Sequence, residues 1–232
     1  SFGRKREFYG KRVVLSGGTA NVGILRRAGI DEAGTSFAVD FLQFIGGVIP
    51  GMNTTHDQPM SVGTFEHYDS DGIIILPVFP NWAMQSIMAF LKGPRYLPRI
   101  RDAFRFSGIM VKIRDELKGE IFPHNPIFPF SKAPTNQDMK RLAKGEGIVR
   151  KVLKKAGASE DSIIAFNPSG AHPSASCRIG EVVDRNLQTR VKNLYCCDAS
   201  VLPSSLGLPV VWTAVALGKR LSKHLDANLQ KA

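Results

Sequence analysis

Short apolar runs punctuated by glycine and proline set the pattern of this chain. Residues 12–15 (Arg-Val-Val-Leu) form one such run; Ser16-Gly17-Gly18 follow, and residues 19–28 then carry apolar positions at helical spacing up to Gly29. This predicts a buried strand, a tight turn and a helix stopped by glycine. From about residue 37 to 129 the texture changes to apolar stretches broken by Gly and Pro, which predicts an antiparallel sheet with one or two helices. Its clearest strand is 71–76; 104–113 alternates imperfectly, 121–122 and 127–131 are shorter, and 85–91 reads as helix. Thr135 and Asn136 precede a helix over 138–156, with Met139, Leu142, Ile148, Val149, Val152 and Leu153 at roughly helical spacing and Gly157 as its stop. The chain closes with a buried strand at 194–198, a loop at 202–209 and a helix at 211–225. The outer strands and last helix form one layer system and the middle another, so the expected fold class is mixed α/β.

Composition narrows the classes. With 232 residues and 43% hydrophobic content the chain can bury a core of enzyme size. Its 31 basic against 20 acidic residues give a net charge of +11, concentrated at Arg4-Lys5-Arg6 with Lys11-Arg12, at 95–114 and at 140–155. These charges are interspersed with carboxylates and apolar residues, and no nucleic-acid motif is present, which favours solvated faces or a partner interface over DNA or RNA. Contact with an anionic membrane surface stays open; no run is long enough to span a bilayer. Three cysteines, two adjacent at Cys196 and Cys197, make neither a disulfide framework nor a metal site. The expected compartment is reducing and cytoplasmic, and Cys196 and Cys197 read as inert buried thiols.

The candidate chemistry lies in the last quarter. Asn167-Pro168-Ser169-Gly170-Ala171-His172-Pro173 leads through Cys177-Arg178-Ile179-Gly180 to the strand ending Asp198-Ala199-Ser200. A histidine between proline and small residues, followed by such a strand end, suits an imidazole facing a dinucleotide cofactor. An imidazole ordinarily titrates near neutrality and suits removal of a hydroxyl proton, which makes His172 the candidate general base. The competing reading is a histidine that satisfies backbone groups in a Pro-rich loop. His56, His67, His124 and His224 have no comparable setting. Asp198, at the end of a parallel strand, is placed to bind a ligand hydroxyl or to cap a turn. Gly17 and Gly18 allow close backbone approach, and the N–H groups of Val210 and Val211 open the last helix. Phe44, Phe65, Tyr68, Phe79, Trp82, Phe104, Phe106 and Phe128 are among many aromatics in the middle region; they line an apolar pocket or pack a core.

In this order the motifs resemble the C-terminal part of the glucose-methanol-choline (GMC) flavin oxidoreductases. Residues 12–30 are similar to the strand and helix before that family's substrate domain, Ala171-His172-Pro173 with Cys177-Arg178-Ile179-Gly180 to its catalytic-histidine segment, and Asp198-Ala199-Ser200-Val201-Leu202-Pro203 to its flavin-contacting strand end. The resemblance implies FAD as cofactor, with Gly17, Gly18, Asp198, Ala199, Pro209, Val210 and Val211 near it. It implies hydride transfer from the CH–OH of a small-molecule alcohol, weakly a hydrophobic one, with His172 as base and no metal. The implied division is 1–36 and 161–232 in a Rossmann-like FAD-binding unit and 37–160 in a substrate-binding sheet. Two departures matter. The chain has no Gly-x-Gly-x-x-Gly fingerprint to hold the FAD pyrophosphate, so either the family's single chain is divided, by genes or by processing, or the sequence is a fragment of a longer product; the expectation is a fold incomplete without a second polypeptide carrying that segment. Where the family commonly has a second His or Asn, this chain has Leu208, which forms no side-chain hydrogen bond. The alternatives are a non-catalytic structural subunit of a flavoprotein complex and a lyase on the same fold.

Overall fold

The computed structural model describes residues 7, 9–52, 62–78 and 82–229. Arg4, Lys5, Arg6, His56 and Phe79 lie outside the described residues, as does the side chain of Phe104.

Three sheets form among the described residues, the two principal ones following the change of texture. Strand β1 (Val13–Leu15) pairs in parallel with the late strand β9 (Leu194–Cys196). Between them in sequence lies an antiparallel sheet in which β2 (Phe41–Val48) sits centrally, flanked by β4 (Phe106–Ile113) on one side and by the short β7 (Ile164–Ala165) and β8 (Ser169–Gly170) on the other. The edge strand β3 (Ile73–Val78) pairs with β4. Sheet membership therefore continues to Gly170, past residue 160. A small hairpin, β5 (Glu120–Ile121) with β6 (Phe130–Ser131), lies apart.

Helices close the layers where the sequence signals ask for them. Helix α1 (Asn21–Arg27) ends at Gly29, whose φ of +79° suits a residue without Cβ. A short α2 (Tyr68–Asp71) turns through Gly72 into β3. Helix α4 (Asn136–Lys155) starts with a full capping box: the Asp138 N–H donates to Thr135 Oγ1, and the Thr135 N–H donates to the Asp138 carboxylate. Its Leu142, Val149 and Leu153 bury against Ile45, Val111 and Ile113, while Met139 and Val152 of the expected apolar set remain outside. The sheet approaches so closely that a Cβ at Gly145 would sit 2.3 Å from Val111 Cγ1.

Because side chains alternate along a strand, Val111 faces α4 and Lys112 faces the other way. On that opposite face Phe44, Phe106 and Phe166 pack with Met88 of α3 (Trp82–Lys92) and with Tyr96 of the 3-10 segment Pro94–Arg105. The aromatic residues thus divide: Phe106 and Phe166 are core, whereas Phe65, Trp82 and Phe128 are exposed. Helix α5 (Val211–Leu229) is tied to β1 by Arg12, whose guanidinium donates to the Leu225 carbonyl, yet Val211, Trp212 and Val215 are exposed.

Candidate functional site

Residues 169–174 are zipped to 38–42. Gly170 and Ser169 pair with Phe41 and Leu42, the Ala171 N–H donates to the Val39 carbonyl at 2.6 Å, and Ala38 and Ser174 exchange two backbone bonds of 3.0 and 2.9 Å. Between these ties Asp40 and His172 both take left-handed backbone, at φ +49° and +48°. Such conformations are uncommon outside glycine and persist where the surroundings over-determine them. His172 is held from its other end too, since the N–H groups of Ala175 and Cys177 donate to the carbonyls of Ala199 and Ser200.

The His172 ring meets a buried ion pair. Its Nδ1 lies 3.0 Å from Lys112 Nζ and 3.4 Å from Asp40 Oδ2, and Lys112 Nζ lies 3.0 Å from the same Oδ2. The Lys112–Asp40 contact is an ion pair by distance, without hydrogen-bond angles at Oδ2. Side-chain exposure is 2% for Lys112, 0% for Asp40 and 38% for His172, so the imidazole is the group of the three that faces outward. Asp40 Oδ1 accepts the Gly207 N–H at 3.2 Å, with Ser205 Oγ at 3.5 Å. Burial pushes the Asp40 carboxyl above the ordinary carboxylate range, and Lys112 pulls it back.

A second buried pair stands behind the first. Asp115 lies 2.8 Å from Lys132 Nζ and accepts the N–H groups of Val39 and Asp40 and the Ser205 hydroxyl. Lys132 also donates to the carbonyls of Phe37 and Glu116. Sequence reading did not single out Asp40, Lys112, Asp115 or Lys132. The signal was present in part, because a lone cation in Ile109-Met110-Val111-Lys112-Ile113 and a lone acid in Val39-Asp40-Phe41 interrupt apolar runs, and a buried charge demands a partner.

The other expected site residues fall into two groups. Asp198 caps the turn Ala199–Val201: Oδ1 accepts the Ser200 N–H, and Oδ2 accepts the Gly18 N–H and the Asn21 side-chain amide. Gly17 donates its N–H to Asn21 Oδ1. The turn N–H groups at Gly17 and Gly18 are thus engaged within the protein, and the capping reading of Asp198 describes its contacts. Ala199 joins this cluster and, through the Ala175 N–H, the His172 segment. Pro209 and Val210 lead into α5 at Val211, Pro209 and Val211 exposed and Val210 partly so, and Ala214 donates its N–H to the Val210 carbonyl. The first N–H groups of a helix have no partner within it, and the helix dipole is positive there, so this terminus is suited to an anionic or electron-rich group. Leu208, partly buried, adjoins Gly207 and therefore the Asp40 network.

Two apolar cavities border the histidine segment. One of about 640 Å3, lined by Phe44, Met84, Ile87, Met88 and Leu91 with residues 166–169, lies on the sheet face that carries Lys112. The other, about 620 Å3, lies between Thr19, Val39, Phe130, Ala171 and Pro173. Cys177 and Cys196 are buried free thiols, and the hydrogen bond to Cys177, followed by burial, raises the Cys196 thiol. Among the described residues no helix is long and apolar enough to cross a membrane.

An uncharacterised protein of Methanocaldococcus jannaschii is 27% identical over 222 residues, covering 95% of this chain and 54% of that protein. A long-chain-alcohol oxidase of Arabidopsis thaliana is 37% identical over 71 residues, covering 26% of this chain and 10% of its own length. Among solved structures, a formate oxidase of Aspergillus oryzae, a variant solved to follow FAD modification, superposes with a TM-score of 0.61 at 15% identity, over 97% of this chain and 55% of that one. The chain therefore spans about half the length, or less, of these proteins. The family model described as GMC oxidoreductase matches residues 88–218, more than half of the chain. With its mixed α/β architecture and antiparallel sheet, the chain belongs to the GMC oxidoreductase family and represents its C-terminal part.

Proposed function

We propose that this chain forms the C-terminal part of an FAD-dependent oxidoreductase that acts on the CH–OH group of an apolar alcohol, with His172 receiving the hydroxyl proton. The observation that carries the reading is the half-exposed imidazole of His172, clamped by Asp40 and Lys112 on the sheet face that also bears the 640 Å3 apolar cavity. FAD, when bound, supplies the hydride acceptor. The start of α5 would hold its ring edge, and the alcohol's apolar body would rest on Phe44, Met84 and Met88, away from water. The Arabidopsis thaliana relative, a long-chain-alcohol oxidase, supports this substrate class.

The complementary segment that binds the FAD phosphates is proposed to be a second polypeptide seated on β1 and α5. Val13 and Val14 are 46% and 42% exposed, and Trp212 is 84% exposed. A two-stranded parallel sheet leaves apolar faces that such sheets ordinarily cover on both sides.

The test is intact mass and visible absorbance of natively purified protein, followed by anaerobic addition of alcohols. A second polypeptide, a flavin spectrum and bleaching by alcohol support the proposal, and His172→Ala should then abolish bleaching while flavin is retained. Bound flavin with no turnover favours the lyase or structural-subunit readings, for which Leu208 speaks; colourless protein even with the partner favours the structural subunit.

A further inference from the structure

Helix α3 is built the wrong way round for a helix in water. Taken at about 100° per residue, its outward arc carries Trp82, Met84, Ile87, Phe90 and Leu91, which are exposed by 62, 48, 61, 70 and 69%. The residues it turns into the protein include the polar Gln85 and the small Ala89. No charged residue falls on the outward arc, and its one polar side chain, Ser86, donates its hydroxyl to the Trp82 carbonyl at 2.7 Å. Single exposed apolar residues are ordinary; a contiguous set of them along one helix face marks a contact surface.

The segment that follows is basic. Residues 92–105 contain Lys92, Arg95, Arg99, Arg101 and Arg105 against the single acid Asp102, and Arg95, Arg101 and Arg105 are exposed. The Arg95 guanidinium lies 4.9 Å from the centre of the Tyr96 ring, and Lys92 Nζ lies 5.8 Å from it. Tyr96 in turn packs with Met88 of α3 on Phe106 and Phe166. Helix and basic segment are thereby fixed to the same sheet face.

We propose that this face docks on an anionic lipid surface, with the outward arc of α3 in the boundary between headgroups and acyl chains and the exposed arginines of 95–105 against the lipid phosphates. Charge complementarity selects the occupant: an apolar strip bordered by basic residues suits a surface that is apolar beneath an anionic layer. With 11 residues α3 is about 16 Å long, about half the hydrocarbon core, so it lies along the surface rather than across it. The patch is also separate from the one proposed to seat a second polypeptide. Met88 of α3 rests on the cluster of Phe106, Ile164 and Phe166, whereas Leu15 of β1 and Leu217 and Leu225 of α5 pack on the main core.

Docking bears on the site. Met84, Ile87 and Leu91 belong both to the exposed arc and to the lining of the 640 Å3 cavity, which Ser169, close in sequence to His172, also lines. An alcohol dissolved in the lipid would enter the cavity from the docked face without crossing water. This delivery rests on the reading of an apolar alcohol as substrate; the docking does not.

The test is flotation of the natively purified holoprotein with phosphatidylcholine vesicles, with and without phosphatidylglycerol. Binding to the anionic vesicles and little to the neutral ones is expected. Trp82→Ser with Phe90→Ser changes two exposed side chains outside the cavity lining and should weaken binding by at least about 30-fold. Arg95→Gln with Arg101→Gln should weaken it by about 25-fold, at about 5-fold for each basic residue near an anionic leaflet. In Trp212→Phe, where Trp82 is the remaining tryptophan, vesicles should shift the emission to shorter wavelength and shield it from iodide. Three results would overturn the docking: no binding to anionic vesicles, binding that the double serine variant leaves intact, or a Trp82 already shielded without vesicles by a second copy or a partner chain. Vesicle binding without turnover of any alcohol would remove the oxidoreductase reading and support the docking, whereas turnover without vesicle binding would do the reverse.

Discussion

Replacing Asp115 with alanine removes a buried carboxylate that ties the end of β4, the segment before β2 and the 202–209 loop together. Four donors lose it: the Lys132 ammonium at 2.8 Å, the N–H groups of Val39 and Asp40 at 3.1 Å each, and the Ser205 hydroxyl at 2.7 Å. Lys132, 3% exposed, keeps the carbonyls of Phe37 and Glu116 and the ring faces of Phe37 and Phe41. The unpaired ammonium therefore belongs at the low end for a broken buried pair, about 3 kcal/mol. Stranded backbone donors add about 1 kcal/mol each before relaxation. The expected loss is about 4–5 kcal/mol, a large share of the total stability of most domains. Lys132→Met should cost less, about 2 kcal/mol, because Asp115 retains three donors. In the double variant the orphan ammonium is gone, so it should be more stable than the sum of the singles by about 2 kcal/mol. Urea unfolding of the four proteins, with midpoints and slopes fitted together, reads this directly. A loss below about 1 kcal/mol for Asp115→Ala, or strictly additive effects, would refute the account of this network.

Two further outcomes follow from local geometry. Gly207→Ala places a Cβ 2.7 Å from the Arg114 backbone nitrogen at a residue with φ +64°, so the loop must shift and its N–H must leave Asp40. The expected cost is about 2–4 kcal/mol, read by thermal melting, and an unchanged midpoint would contradict the close approach. At the surface, Lys144 donates to Asp71 at 2.6 Å, and that hydrogen bond, followed by one from Ser70, holds the Asp71 carboxyl below its ordinary range. A carboxyl lowered in the folded state contributes stability above the ordinary carboxylate range and loses it as pH falls through its depressed value. Lys144→Met should therefore narrow the stability difference between neutral and acid pH slightly, by an amount that high salt abolishes; a salt-insensitive change would exclude this cause.

Local rules made much of this architecture legible in the sequence. The Thr135 cap, the stops at Gly29 and Gly157, the alternation over 106–113 and the apolar run of β3 each act within a few residues, so propensity and hydrogen bonding read them directly. Elements were legible but their lengths less so: α3 and α5 extend beyond 85–91 and 211–225, because tertiary contacts decide where a helix frays. The His172 segment was legible through its setting of Pro and small residues. Its partners were not. Lys112 lies 60 residues away, Asp115 and Ser205 are 90 apart, and Asp115 and Asp40 are 75 apart. In a strand, a lysine at an alternating position reads as a solvent-facing residue, and the meeting of that face with Asp40 and the His172 segment is what only the tertiary structure shows. The role of Asp198 was likewise open until the fold brought Gly18 and Asn21 against its carboxylate. Pattern and turn chemistry, being local, determined which elements form and where the histidine sits; which charges are enclosed together depends on chain segments meeting from far apart, and that only the tertiary structure decided.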